Sequence, residues 1–314
     1  MMTIDTLSLT NHVLTLNNTD RTDSGPQFDE LYMYLAYVAS AAYILISVLG
    51  TFFNVVAVVV PLRYRHLRHN PFNILIINMA VVDLICCLSL PLNACVILGY
   101  QTTGSLANLG CYASAFVRYF TKLMYFAILS EMAVIRAVCI SCSGLYRIRL
   151  SKRFLASLIA LHTTVALAFT TYRNLNNNIC HGFDSIHTNY IWINTGLTVT
   201  LLVILCAGYA CILLVTCRHA ASMSKVTDSA DSHWSKHNLA TIRTSVLIVT
   251  WYMLCHIPFF LLIVLVATDV VLISFITYSS FFVFVSLSHI ANPVILFCSS
   301  KDFRKHVILA FKRV

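Results

Sequence analysis

The stretch that decides the fold is CYASAFVRYFTKLMYFAILSEMAVIR, residues 111–136. It opens on Cys111 and closes on Arg136, and between them only Arg118, Lys122 and Glu131 are charged. Read as a helix, it carries the chain about 37 Å at roughly 1.5 Å per residue. That is one crossing of a hydrocarbon core of about 30 Å together with its interfaces. A cysteine therefore marks one edge of a membrane and an arginine the other.

The rest of the chain repeats this pattern. Of its 314 residues, 59% are hydrophobic and 11% charged, whereas soluble domains carry about a quarter charged residues. Apolar runs place spans at about 31–61, 72–98, 112–140, 154–172, 191–217, 241–268 and 272–298. In lipid each segment must bond its own backbone groups, so these runs are expected to be helices. Ala57 to Val60 and Leu201 to Leu205 are continuously apolar and lack the alternation of a barrel strand. The expectation is an all-α bundle of seven membrane helices over 31–298. A segment at 1–30 precedes it, and a short amphipathic eighth helix with a tail fills 299–314. Met1 to Leu16 show no basic cluster followed by an apolar core, so the first span is expected to act as the targeting signal.

Basic residues orient the bundle. Arg63, Arg65 and Arg68 follow the first span, and Arg147, Arg149, Lys152 and Arg153 follow the third. Arg218, Lys225, Lys236 and Arg243 follow the fifth, and Lys301, Arg304, Lys305, Lys312 and Arg313 follow the seventh. The opposite side has Arg21 and Arg173. Connections rich in Lys and Arg stay cytoplasmic, which puts the N-terminus outside, in a multi-pass protein of the plasma membrane. Asn17-Asn18-Thr19 is a glycosylation sequon on that outer side. The formal charge of +9 is thus a topology signal and a contact for acidic membrane lipids, not a nucleic-acid footprint. Twelve histidines are scattered in loop pairs such as His181 and His187 without a third convergent ligand, so no metal site is expected. No phosphate-binding glycine loop, nucleophile elbow or paired catalytic carboxylates occur, and nothing reads as an enzyme.

The internal spacing resembles the rhodopsin-like (class A) G-protein-coupled receptors over about residues 31–306. Gly50 and Asn54 match the family's helix-one segment, and Asn78-Met79-Ala80-Val81-Val82-Asp83 is close to its N-L-A-x-x-D. Cys255-His256-Ile257-Pro258 stands where C-W-x-P is usual, and Asn292-Pro293-Val294-Ile295-Leu296 where N-P-x-x-Y is. Phe303-Arg304 follow in the eighth helix. The acid–Arg–Tyr triplet reads Ile135-Arg136-Ala137, the helix-four tryptophan is His162, and the helix-five proline is Leu201. The resemblance implies signalling through a heterotrimeric G protein, with Arg136, Tyr209, Asn292 and Pro293 as coupling and activation residues. Arg136 has a plainer reading as an anchor snorkelling to the interface. The resemblance also implies a disulfide from Cys111 to Cys180.

Three groups carry the chemistry. Asp83 lies mid-membrane, where the family binds a sodium ion; Tyr125, Ser288 and His289 occupy the neighbouring positions. The alternative is a hydrogen-bonded core acid joined to Asn54, Asn292 and His289, without an ion. Arg118 and Lys122 share one face of helix three, roughly 10–17 Å below Cys111, where the family binds its ligands. They point to an anionic small molecule or lipid, or else to internal pairing with Asp269; Glu131 lies about 20 Å away along the axis. His256, Tyr252 and Tyr278 are expected to line the same pocket. Ser286 replaces the lysine an opsin needs. A chemosensory receptor, suggested by Met132-Ala133 and Val138, and a decoy receptor without coupling are rival readings, and a transporter is a third.

Overall fold

Pro26 and Pro71 begin the first two helices, at the one helical position where a missing backbone N–H costs nothing. The computed structural model describes residues 26–64, 67, 71–98, 105–141, 152–176, 196–197, 199–200, 203–212, 214, 229–268 and 275–312. Within these, the side chains at 26–29, 71–72, 105–108, 136–141, 152, 176, 229–243, 245, 267, 275–276 and 302, Arg136 among them, fall outside the description. The helices are α1 (Pro26–Arg63), α2 (Pro71–Leu98), α3 (Ser105–Ser141) and α4 (Lys152–Asn176). They continue with α5, described over Val203–Ile212, α6 (Ser229–Ala267), α7 (Phe275–Ser299) and α8 (Lys301–Phe311). No strand occurs among the described residues. The architecture is the all-α seven-helix membrane bundle with an eighth helix.

Hydropathy found the spans but not the helix ends. α1 starts at Pro26 rather than 31, α3 at Ser105 rather than 112, and α6 at Ser229 rather than 241. The added turns of α6, about three from Ser229 to Ala240, are polar, so the helix continues where the hydrocarbon stops. Five helices are apolar and long enough to span by composition alone. α3 carries four charges within its length, and α5 is described over only part of its run.

α3 stands at the centre. Its Tyr125, Ile128, Leu129 and Met132 are buried among Met79 of α2, Leu205 and Ile212 of α5, and Ile248 and Tyr252 of α6. α5 comes close to α3 because residue 208 is glycine: a Cβ there would lie 2.9 Å from the Ala133 Cβ. A second cluster sits toward the Cys111 end, where Ala36, Ala39 and Tyr43 of α1 meet Leu90 of α2 and Phe282 of α7. Pro293 inside α7 deprives the carbonyl four residues earlier, that of His289, of its amide partner. Asn54 Nδ2 fills the vacancy, donating to His289 O at 2.9 Å and to Gly50 O at 2.9 Å. α8 is capped by Ser300, whose hydroxyl accepts from Phe303 N at 3.2 Å. It buries Phe303 and Val307 and turns Lys301, Lys305 and Ile308 outward, which is an amphipathic pattern.

Candidate functional site: a cationic cavity above a buried Asp–His pair

A cavity of about 870 Å³, counted with its open mouth, lies between α2, α3, α6 and α7. Arg118 and Lys122 both line it, as their spacing of one turn requires. Opposite them stand Phe259, Phe260 and Ile263 of α6 and Tyr278, Phe282 and Val285 of α7. Arg118 donates through Nη1 to Asn93 Oδ1 of α2, and its guanidinium carbon lies 5.3 Å from the centre of the Phe282 ring. No carboxylate among the described residues lines the cavity. Asp269 lies outside the described residues. Glu131 is engaged elsewhere, with its Oε1 in direct contact with His162 Nδ1 of α4.

Reading the sequence missed a third cation. Arg173, counted above as an outer-side residue, is 1% exposed on the last turn of α4, and its guanidinium carbon lies 3.0 Å above the centre of the Tyr119 ring. Tyr119 itself lines the cavity, so Arg173 is a buried cation directly behind the cavity wall.

Of the five predicted pocket residues, four line the cavity and one does not. His256 and Tyr278 line the cavity alongside the two cations. Tyr252 does not: it lies beneath, stacked on Tyr125 at 4.5 Å and on His256 at 3.7 Å between ring centres. Burial of the phenol ring by its neighbours on α3 takes it out of the wall.

Under the floor, Asp83 is fully buried. Its Oδ1 accepts from His289 Nδ1 at 2.6 Å and its Oδ2 from Asn292 Nδ2 at 2.8 Å. Asn292 also bonds the Tyr125 hydroxyl. The other ring nitrogen of His289 faces Cys86 Sγ at 3.2 Å. Two members of the expected Asp83 group are elsewhere. Asn54 is spent on the carbonyl freed by Pro293, and Ser288 Oγ donates to Val285 O at 2.7 Å along its own helix. A sodium ion needs oxygen lone pairs around it. Asp83 instead meets N–H donors on both oxygens, and Tyr125 fills the adjoining space.

Residues 53–296 match the family described as 7 transmembrane receptor (rhodopsin family). The chain belongs to that family. A search of curated proteins found no match. Membership makes the receptor a G-protein-coupled receptor in general terms and sets the transporter reading aside. Of the residues expected to act in activation, Tyr209 is buried against the α3 cluster, Asn292 bonds Asp83, and Pro293 is buried inside α7. Arg136 lies on the helical backbone of α3, next to Ile135, which is buried. Leu296, in place of the family's tyrosine, packs as an apolar member of the core. Cys111 is disulfide-bonded. Cys180 and Asn17 lie outside the described residues.

Proposed function

We propose that the receptor is switched by a small amphipathic anion that enters from the Cys111 end of the bundle. One observation carries this reading: Arg118 and Lys122 project into an aromatic-walled cavity in which no described carboxylate neutralises them. A cation in a low-dielectric cleft favours an anion, and a planar guanidinium is suited to a carboxylate, phosphate or sulfate. The phenylalanines opposite supply an apolar surface for the rest of the molecule. Agonist binding then works by population shift: the ligand binds the arrangement with an open inner face more tightly than the closed one. The inner face offers Arg136 and Tyr209 to a heterotrimeric G protein. Cys180 is the partner of Cys111 in this reading, Asn17 is glycosylated outside the plasma membrane, residues 1–30 are extracellular, and Asp83 holds no resident ion.

The test is a screen of acidic metabolites and lipids on cells expressing the receptor with chimeric G proteins, with Arg136→Ala as the coupling-dead control. Arg118→Ala removes a charge-assisted contact worth about 1.5–3 kcal/mol, so potency of an active acid falls roughly 10- to 150-fold at equal surface expression. Unchanged potency in that variant refutes the anionic reading.

A further inference from the structure

Cys86, His289 and Asp83 form a chain of three groups that ends on the cavity surface. Cys86 Sγ faces His289 Nε2 at 3.2 Å, and His289 Nδ1 donates to Asp83 Oδ1 at 2.6 Å. Asn292 fixes the other carboxylate oxygen at 2.8 Å. Asp83 accepts from Nδ1, and in the imidazole form with that nitrogen protonated the Nε2 lone pair faces the thiol hydrogen. A nucleophile, a base within reach of its proton, and a third group orienting the base constitute an activated-nucleophile arrangement. Cys86 and His289 both border the cavity that Arg118 and Lys122 line, and Cys86 is itself only 1% exposed, so a reagent reaches the thiol through the cavity floor.

We propose that Cys86 is a covalent attachment site for electrophilic ligands, namely α,β-unsaturated carbonyl compounds that carry an acid group. The acid part of this proposal rests on the anionic reading of the cavity; the thiol part does not. In the reaction the Cys86 proton passes to His289 Nε2 and the sulfur bonds to the β-carbon of the alkene. The alkene electron pair moves to the α-carbon, which takes the proton back from His289. The product is a thioether, with no leaving group and no change of redox state. Asp83 and Asn292 are positioning residues; Arg118 and Lys122 hold the acid group and raise the local concentration of the alkene at the sulfur.

Cys87 is an internal control. It is the next residue on α2 and is as buried as Cys86, but it packs beside Gly50 and is not part of the cavity surface. Full-length receptor in lipid nanodiscs is treated with 3-maleimidopropionic acid, with its methyl ester, or with the saturated 3-succinimidopropionic acid followed by the maleimide. Peptide mass mapping reads the rate at each cysteine. The expected result is an adduct at Cys86 at least tenfold faster than at Cys87, slowed by the saturated acid, and slowed about 10²-fold in His289→Gln, the usual size of a general-base contribution. Equal rates at Cys86 and Cys87 in the unmodified receptor overturn the proposal without recourse to any variant, as does an unchanged Cys86 rate in a folded His289→Gln receptor. Fast labelling of Cys86 by acid and ester alike upholds the thiol site and removes the anionic reading. A maleimide acid that activates the receptor reversibly without labelling Cys86 leaves that reading standing and sinks this one.

Discussion

The contact between Glu131 and His162 makes a quantitative forecast about removing one partner or both. Glu131 is 6% exposed on α3, and apart from His162 its carboxylate oxygens have no hydrogen-bond partner among the described residues. His162→Leu therefore leaves a buried carboxyl without a partner, at a cost of about 1–3 kcal/mol. Glu131→Leu costs less, about 0.5–1.5 kcal/mol, because the His162 side chain is 30% exposed and is free to reorient. Replacing both by leucine removes the two polar groups together and is expected to lie near the parent, since apolar packing often equals a buried pair. A double-mutant cycle should accordingly give a coupling of about 1.5–4.5 kcal/mol. For a chain of this size 1 kcal/mol moves a midpoint by roughly 2–4 °C, so His162→Leu should lose about 2–12 °C. The assay is the apparent melting temperature of detergent-solubilised receptor at one fixed heating rate, because membrane-protein unfolding is rarely reversible. The reasoning fails if the double variant melts below His162→Leu, which would mean that the pair stabilises beyond satisfying its own polarity.

Three further outcomes are expected. Gly208→Ala forces a Cβ to 2.9 Å from the Ala133 Cβ, costs about 1–3 kcal/mol as overpacking, and is rescued by Ala133→Gly; a melting temperature equal to the parent's counts against close α3–α5 contact. Exchanging sodium chloride for choline chloride changes agonist potency by less than about twofold, because donors occupy both Asp83 oxygens; a tenfold shift, about 1.4 kcal/mol, would restore a resident ion. Ile135→Asp sets an acid beside Arg136 and lowers basal G-protein output by up to about fivefold, the reach of a surface-type ion pair; equal or higher output shows that no restraint is missing.

The bundle was legible because the solvent dictates it. A helix in hydrocarbon must be apolar for about 20 residues, and that constraint shows in composition without any knowledge of neighbours. The ends of α1, α3 and α6 were not legible, because a helix that leaves the hydrocarbon no longer has to be apolar. Arg118 and Lys122 stood out as charges within an apolar run. Arg173 did not, because a count of basic residues records which side a residue is on but not whether Tyr119 covers it. Glu131 and His162 were each visible alone, but their contact joins two helices and has no local signature. For Asn54 a signal did exist: Pro293 announces a freed carbonyl at His289, and a buried amide on a neighbouring helix is a natural donor to it.

What selects this arrangement of helices over others is therefore polar rather than apolar. Lipid tails are as apolar as leucine, so burial in the bundle does not by itself distinguish one helix neighbour from another. The side-chain bonds do. Tyr43 donates to Ser279 O at 2.7 Å and Asn54 to His289 O, joining α1 to α7. Asp83 joins α2 to α7 through His289 and Asn292. Arg118 joins α3 to α2 through Asn93, Glu131 joins α3 to α4, and Thr244 donates to Ser299 at 2.9 Å between α6 and α7. Two of these joints, at His162 and His289, use residues that depart from or lie beside the family's motifs. The chain has thus changed which groups close its joints while keeping the joints themselves, and one consequence is that the histidine closing the α2–α7 joint also turns its free nitrogen to a thiol on the cavity floor.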